Sequence, residues 1–343
     1  MLVYEKEQGS GDCTLNDHQV AIQVSTCSFK RKKATHLIRR QFMEHQDDKP
    51  NGVGGVGVGV ITQVGKTVTD IKIGTCVVFI IPENSKHSGV GHCCIVPRYF
   101  CFACPSNINK TDVAVTVDAL ITAYYAIHNK ATRGDTVLIC DGHTPAGQMA
   151  IQLLHKKGCK IVAYLAKEFE KDVISPYRHM IDHFFEGWIH RSNAKQICNN
   201  LIRESDNLGY SLVLCLQSAN PLYADGIKPG KEQVGSLSPS TAVMVMSAGG
   251  NLVLANSDQP PHAEMFPHLF AKGCSLHLLN PTACLCSPLK LGSLLNFLIS
   301  QLESLELKEI SPPQPIHRVV MEDAVSVLND KLDPMNGSYV VEF

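Results

Sequence analysis

The sequence predicts an α/β protein of two domains, a β-barrel and a doubly wound parallel sheet, on three observations. A strand, a turn, a helix and a second strand follow one another from Thr136 to Leu165. Further apolar strands and helical stretches alternate from there to Leu307. Before them, residues 17 to 104 carry short alternating strands separated by glycine-rich segments, the pattern of a barrel.

The run Val137-Leu138-Ile139-Cys140 is short and wholly apolar, as a buried parallel strand requires, and the turn residues Asp141 to Gly147 follow it at once. Apolar positions then recur at helical spacing at Ala146, Met149, Ala150, Leu153 and Leu154. Lys156 and Lys157 complement the helix dipole, and Gly158 suits a left-handed cap. Cys159 to Leu165 returns as a strand, completing a unit of about thirty residues with a right-handed crossover. Further strands are expected at Met180 to Phe185, Leu212 to Leu216, Ala242 to Ser247 and Cys274 to Leu279, with helices around Asn193 to Glu204 and Leu289 to Leu307. The barrel strands are expected at Gln19 to Thr26, within Gly52 to Gly65 and at Gly74 to Ile81. Gly337 to Phe343 reads as one more strand, returning to the barrel after the extended connector Ser311-Pro312-Pro313-Gln314-Pro315. The expected division is therefore residues 1–117, completed by about 308–343, for the barrel, and 118–307 for the sheet domain.

The turn after the first strand carries the remains of a dinucleotide fingerprint. The pattern G-x-G-x-x-G falls on Gly142, Thr144 and Gly147, so the outer glycines are present and the middle one is threonine. The outer two serve the tight turn and close helix packing, whereas the middle one lets the backbone approach a pyrophosphate. Pro145 removes a backbone N–H from the donors that would face the anion. Thr144-Pro145 also reads as a self-sufficient helix start, a hydroxyl cap followed by proline at the first helical position. A micromolar dinucleotide needs about 8 kcal/mol, and one bond to a charged group is worth roughly 1.5 to 3 kcal/mol. Weak binding survives such a loss; tight binding does not. The end of the second strand, Ala163-Tyr164-Leu165-Ala166-Lys167, offers a lysine and no carboxylate, so a surviving site would favour NADP(H), with Lys167 either at its phosphate or simply solvated.

The chain is ordinary globular material: 343 residues, 44% hydrophobic and 18% charged, with a formal net charge of -1. Global charge therefore steers it toward neither nucleic acid nor membrane. The first residues lack the basic and apolar regions of a signal peptide, and no apolar run approaches spanning length, so a soluble, cytoplasmic chain is expected. The 14 cysteines, scattered through apolar segments, then read as reduced core thiols.

Several segments in order resemble the medium-chain reductases of the quinone oxidoreductase type: Asp17 to Cys27, Gly59 to Gly65, Ile73 to Val77, Thr122 to Tyr124 and Gly134 to Ile139. The likeness covers nearly the whole chain. It implies a GroES-like barrel domain plus a Rossmann domain, a homodimer paired through the sixth Rossmann strand, and reduction of quinones or enones by NADPH without zinc. The apolar stretch Ser275 to Leu279 would need such cover. Matching residue by residue, zinc-dependent relatives' cysteine is Phe29 here and their His-Glu pair is Gly55-Val56, so no metal is expected. The reductases' pocket asparagine corresponds to Lys30, and no catalytic residue is assigned. His183 matches a position near the adenosine phosphate, and Gly249-Gly250 matches the loop beside the nicotinamide, after the fifth strand. Within the family, Asp141-Gly142, Met321 to Val325 and Tyr339 to Phe343 single out a subgroup. That likeness implies a non-catalytic subunit of a Rab-effector complex that carries messenger RNA on early endosomes.

Two further clusters draw attention. Cys93, Cys94, Cys101 and Cys104 include a C-x-x-C, but adjacent strand residues face opposite ways, so buried strand thiols rather than a metal site are expected. Lys30 to Lys33, with Arg39-Arg40 and the apolar Ala34, Leu37, Ile38 and Phe42, fit either a solvated surface helix or a basic amphipathic one for RNA or an acidic partner. Two functions of different class follow: a scaffold that kept the architecture, or a zinc-independent NADPH-dependent quinone or enone reductase.

Overall fold

The structure, a computed structural model, describes residues 15–29, 55–81, 91–165, 168–186, 194–216, 237, 239–255, 263–285, 287–324 and 337–343. The chain divides into two compact units, Met1–Asp118 with Thr282–Phe343, and Ala119–Pro281. The division falls within the helix α1 (Lys110–Ile127), close to the expected 117/118 boundary. The return to the first unit comes at Thr282 rather than near 308, because the helix Pro288–Glu306 belongs with that unit.

The first unit is a seven-stranded sheet. Its order is β12-β13-β1-β2-β3-β5, with β4 pairing the Gln19–Gln23 stretch of β1 that β13 does not reach. The strands are β1 (Gln19–Phe29), β2 (Val56–Val64), β3 (Cys76–Ile80), β4 (Cys93–Pro97), β5 (Cys101–Ala103), β12 (Ile316–Val320) and β13 (Ser338–Glu342). The alternation Val20, Ile22, Val24 puts three branched side chains on one face, where they meet Ile61, Val77, Phe79, Cys94 and Val96. β13 joins antiparallel to β1, from Thr26↔Glu342 to Phe29↔Tyr339, so the C-terminal residues do close this unit. Thr111 Oγ1 donates to Glu342 Oε1 at 2.7 Å and ties α1 to that strand.

The second unit is a six-stranded parallel sheet in the order β11-β10-β9-β6-β7-β8. Its strands are β6 (Thr136–Ile139), β7 (Lys160–Leu165), β8 (His183–Glu186), β9 (Tyr210–Cys215), β10 (Met246–Leu254) and β11 (Ser275–Leu278). The chain starts at the centre with β6, builds outward through β7 and β8, then returns to β9 and builds the other half. The topological switch therefore lies between β6 and β9, where open α/β sheets bind ligands at the carboxyl ends of the strands. Leu138, Val162, Val213 and Leu252 sit in one row across the sheet, each fully buried, as expected of strands covered on both faces.

The fifth strand departs most from the sequence reading. Ala242 to Ser247 was expected to be the fifth strand, but Pro239–Val245 is helical and the strand runs from Met246 to Leu254. Ala242, Val243 and Val245 are buried on a helix covered on most sides, and such a run has no period to distinguish it from a strand. The helix passes into β10 without a loop. Lys272 holds that junction, its Nζ donating to Val243 O at 3.1 Å, Met244 O at 2.7 Å and Met246 O at 2.8 Å. The first two are carbonyls a helix end leaves without intrahelical donors, and the third opens β10.

Candidate functional site

The turn from Asp141 to Gly147 joins β6 to the helix α2 (Pro145–Lys157) at the switch point. Thr144 is the N-cap, with φ -70° and ψ 154°, and Pro145 is the first helical residue. The Thr144 hydroxyl accepts from the Gly147 N–H at 3.1 Å and itself donates to Asp141 O at 2.7 Å. The Gln148 N–H reaches Thr144 O at 2.9 Å. Gly158 caps the other end in the left-handed region, φ 79°. This is the self-sufficient helix start expected from the sequence, worth about 1 kcal/mol to the helix.

These bonds test whether a dinucleotide phosphate fits. An anion at a helix N-terminus is held by first-turn amides that have no partner within the helix. Here Pro145 has no N–H and the amide of Gly147 is spent on Thr144, which leaves Ala146 as the first-turn amide that neither residue takes up. Carboxyl groups also stand beneath the turn. Asp141 is 2% exposed at the foot of the turn, and Glu170, from the helix α3 (Glu168–Ile174), is 4% exposed. Both raise the pKa of Cys140, after the larger effects of its thiol contact with Cys215 and of burial. Two buried carboxyl groups at the base of a cradle are poor company for a diphosphate. The residues present do not fit a tightly held dinucleotide.

His143 and Glu170 were not singled out in the sequence, and Asp141 only as a mark of the subgroup. Acidic and imidazole side chains inside a short turn between two buried elements were the available signal, since such groups must either reach solvent or find partners. His143 is buried, with its Nδ1 3.7 Å from Glu170 Oε1. Its backbone carbonyl accepts from Gln148 Nε2 at 2.9 Å, and Gln148 Oε1 accepts from the Tyr177 hydroxyl at 3.0 Å.

The other expected site residues do not converge on this turn. Gly249 and Gly250 lie inside β10 near its amino end, at a register shift between Met246 and Asn251, and not in a loop after the fifth strand. The misplacement follows from reading the preceding helix as the strand. A nicotinamide loop belongs at the carboxyl end, after Leu254. His183 is the first residue of β8, paired with Val162 at the amino side of the sheet, and its exposed ring lies 3.4 Å from Glu204 Oε2. That is the opposite edge from an adenosine phosphate. Lys167 and Lys30 to Lys33 lie outside the described residues.

The positions matched to zinc ligands are strand and core. Phe29 packs on Tyr339, with ring centroids 6.0 Å apart, and on Ala324 and Val341. Gly55 N–H donates to Ser28 O at 3.0 Å, and Val56 N–H to Ser28 Oγ at 3.0 Å. Cys93 is exposed while Cys94 is buried, on opposite faces of β4. Burial pushes the thiols of Cys101 and Cys104 up to about 12. Among the described residues no group of three or more metal-ligating side chains comes together, and no helix is long and apolar enough to cross a membrane.

No family model matches the sequence. Quinone oxidoreductase-like protein 1 of Mus musculus is 26% identical over 318 residues, covering 89% of this chain and 87% of that protein. Squalestatin hexaketide synthase of Phoma sp. is 24% identical over 281 residues, and there the chain spans only 10% of the relative. Among solved structures, the CurK enoyl reductase matches with a TM-score of 0.76 at 16% identity, covering 98% of this chain and 94% of that one. Mycobacterial Rv1454c complexed with NADPH matches with a TM-score of 0.72 at 15% identity, covering 98% and 95%. A quinone oxidoreductase of Pseudomonas syringae pv. Tomato DC3000 matches with a TM-score of 0.69 at 12% identity, covering 99% and 94%. At these identities the structures speak to fold alone. The chain has the medium-chain reductase architecture, a GroES-like barrel unit and a Rossmann unit, and its sequence resemblance lies with the quinone oxidoreductase type.

Proposed function

We propose that this quinone oxidoreductase-like chain has kept the reductase architecture without a working NADPH site, and serves as a non-catalytic scaffold. The observation that carries this reading is the Thr144 hydroxyl bonded to the Gly147 amide, beside a proline that contributes no donor. Together they occupy the anion-binding end of α2 from within. The partners proposed are a second copy of the chain and the subunits of a Rab-effector complex on early endosomes that moves messenger RNA. The resemblance to quinone oxidoreductase-like protein 1 motivates the complex. For the homodimer, the support is that β11 is an edge strand with Leu278 67% exposed and Phe270 of the preceding helix 90% exposed. Lys30 to Lys33 remain the candidate for RNA or an acidic partner.

The second reading, a zinc-independent NADPH-dependent quinone or enone reductase, is favoured by one observation. A structure with the same fold holds NADPH. Titrating the purified chain with NADPH and following nicotinamide fluorescence separates the two. The scaffold reading expects no saturation in the low micromolar range, and no loss of reduced nicotinamide above the protein-free rate when a quinone or an enone is added. Saturation in that range with turnover establishes the reductase.

A further inference from the structure

The fingerprint substitutions account for the pyrophosphate end of the cradle. They say nothing of its ribose side. In a doubly wound sheet the adenosine ribose lies between the turn after the first strand and the end of the second, reaching toward the segment where a ribose-binding side chain would stand. His143 belongs to that turn, and Glu170 to the helix that follows the second strand. Their side chains are 2% and 5% exposed, and Nδ1 stands 3.7 Å from Oε1. Two polar side chains from segments 27 residues apart therefore meet in the interior, and they come from the two segments that border the ribose in such a sheet. The His143 side is braced: Gln148 holds the His143 carbonyl, and Tyr177 holds Gln148. Gln148 is fully buried and Tyr177 is 3% exposed.

We infer that His143 and Glu170 form a latch that closes the ribose side of the cradle, so that the site is shut by two separate obstructions rather than one. The inference rests on the scaffold reading and deepens it. An obstruction at each end has a consequence that one does not. Restoring the turn alone leaves a bound diphosphate with no room for its nucleoside. Opening the latch alone leaves the Gly147 amide spent on Thr144 and Pro145 with none to offer. Each repair is ineffective until the other is made, which is a coupling between neighbours and not a sum of independent effects.

The test uses the full chain and titration with NADPH, read by nicotinamide fluorescence, with thermal melting to confirm folding. Three proteins are compared with the native one: Thr144→Gly with Pro145→Gly, His143→Ser with Glu170→Gln, and all four together. Both latch residues are changed at once, so that neither half of the buried pair is left facing a removed partner. The turn pair and the latch pair are each expected to change affinity by less than about threefold, and the fourfold variant to bind at least about tenfold more tightly than either. A turn variant that reaches the fourfold variant's affinity with His143 and Glu170 intact overturns the latch while leaving the scaffold reading in place. So does a folded fourfold variant that gains nothing over the turn pair. Tight binding by the native chain defeats the scaffold reading itself. Should the fourfold variant fail to fold, Glu170→Asp in the turn pair keeps the charge and shortens the side chain, and is judged by the same two outcomes.

Discussion

Gly147→Ala is expected to destabilise the Rossmann unit by about 3 kcal/mol, the upper part of the range for forcing atoms into a filled space. A Cβ at this position would lie 2.1 Å from Asp141 O, 2.8 Å from Gly142 Cα and 2.9 Å from Asp141 C. All three are backbone atoms of the turn, so no side chain can swing away to make room. The turn cannot retreat either, since β6 is fixed between β7 and β9. Gly142→Ala is the contrasting case. Its Cβ would meet only the Ile151 Cδ1 at 3.3 Å and more distant side-chain methyls, and a loss under about 1 kcal/mol is expected. Urea unfolding measures both, with a shifted midpoint at unchanged slope as the sign of a true stability effect. Equal midpoints for native protein and Gly147→Ala would contradict the packing described here. The contrast matters for function. Of the two retained glycines, the indispensable one serves the fit of helix to turn, so its presence says nothing about a ligand.

Phe79→Ala is expected to cost the barrel unit about 3 to 5 kcal/mol, the usual penalty for emptying a fully buried aromatic site. Phe79 is fully buried on β3 and is the cross-strand partner of Gly57 on β2. Its ring covers the bare backbone of that glycine: a Cβ on Gly57 would come within 2.3 Å of the Phe79 Cζ. Aromatic side chains compensate a strand glycine in this way, filling the space its absent side chain leaves. The two positions should therefore be coupled. Gly57→Ala is expected to cost about 2 kcal/mol alone and clearly less in the Phe79→Ala background, where the ring is gone. Urea midpoints of the two single variants and the double variant read the coupling. An unchanged cost in both backgrounds would mean that the ring does not pack where it is placed.

What the sequence made legible follows from how local each signal was. The strand, cap, helix and left-handed glycine between Thr136 and Gly158 lie within one residue of expectation, because each depends on neighbours in the chain. The C-terminal return to β1 was legible from a short alternating run. Pro239–Val245 was not, because a helix buried on most sides looks like a strand, and the error carried Gly249 and Gly250 to the wrong end of β10. The candidate site divides the same way. Thr144 and Pro145 announce their effect through the rules of helix starts. The approach of Glu170 to His143 depends on how α3 packs after β7, and no local pattern states it. Nor could the turn's sequence show that Asp141 would be 2% exposed at the base of the cradle.

The proposed loss of the NADPH site requires the anion-binding end of α2 to be occupied by the chain itself. A crystal structure of the native protein grown with NADPH in large excess tests it most directly. The expected map shows the Thr144 hydroxyl still bonded to the Gly147 amide, His143 still against Glu170, and no ordered dinucleotide along the turn. An ordered NADPH with its diphosphate on the amides of α2 would contradict it.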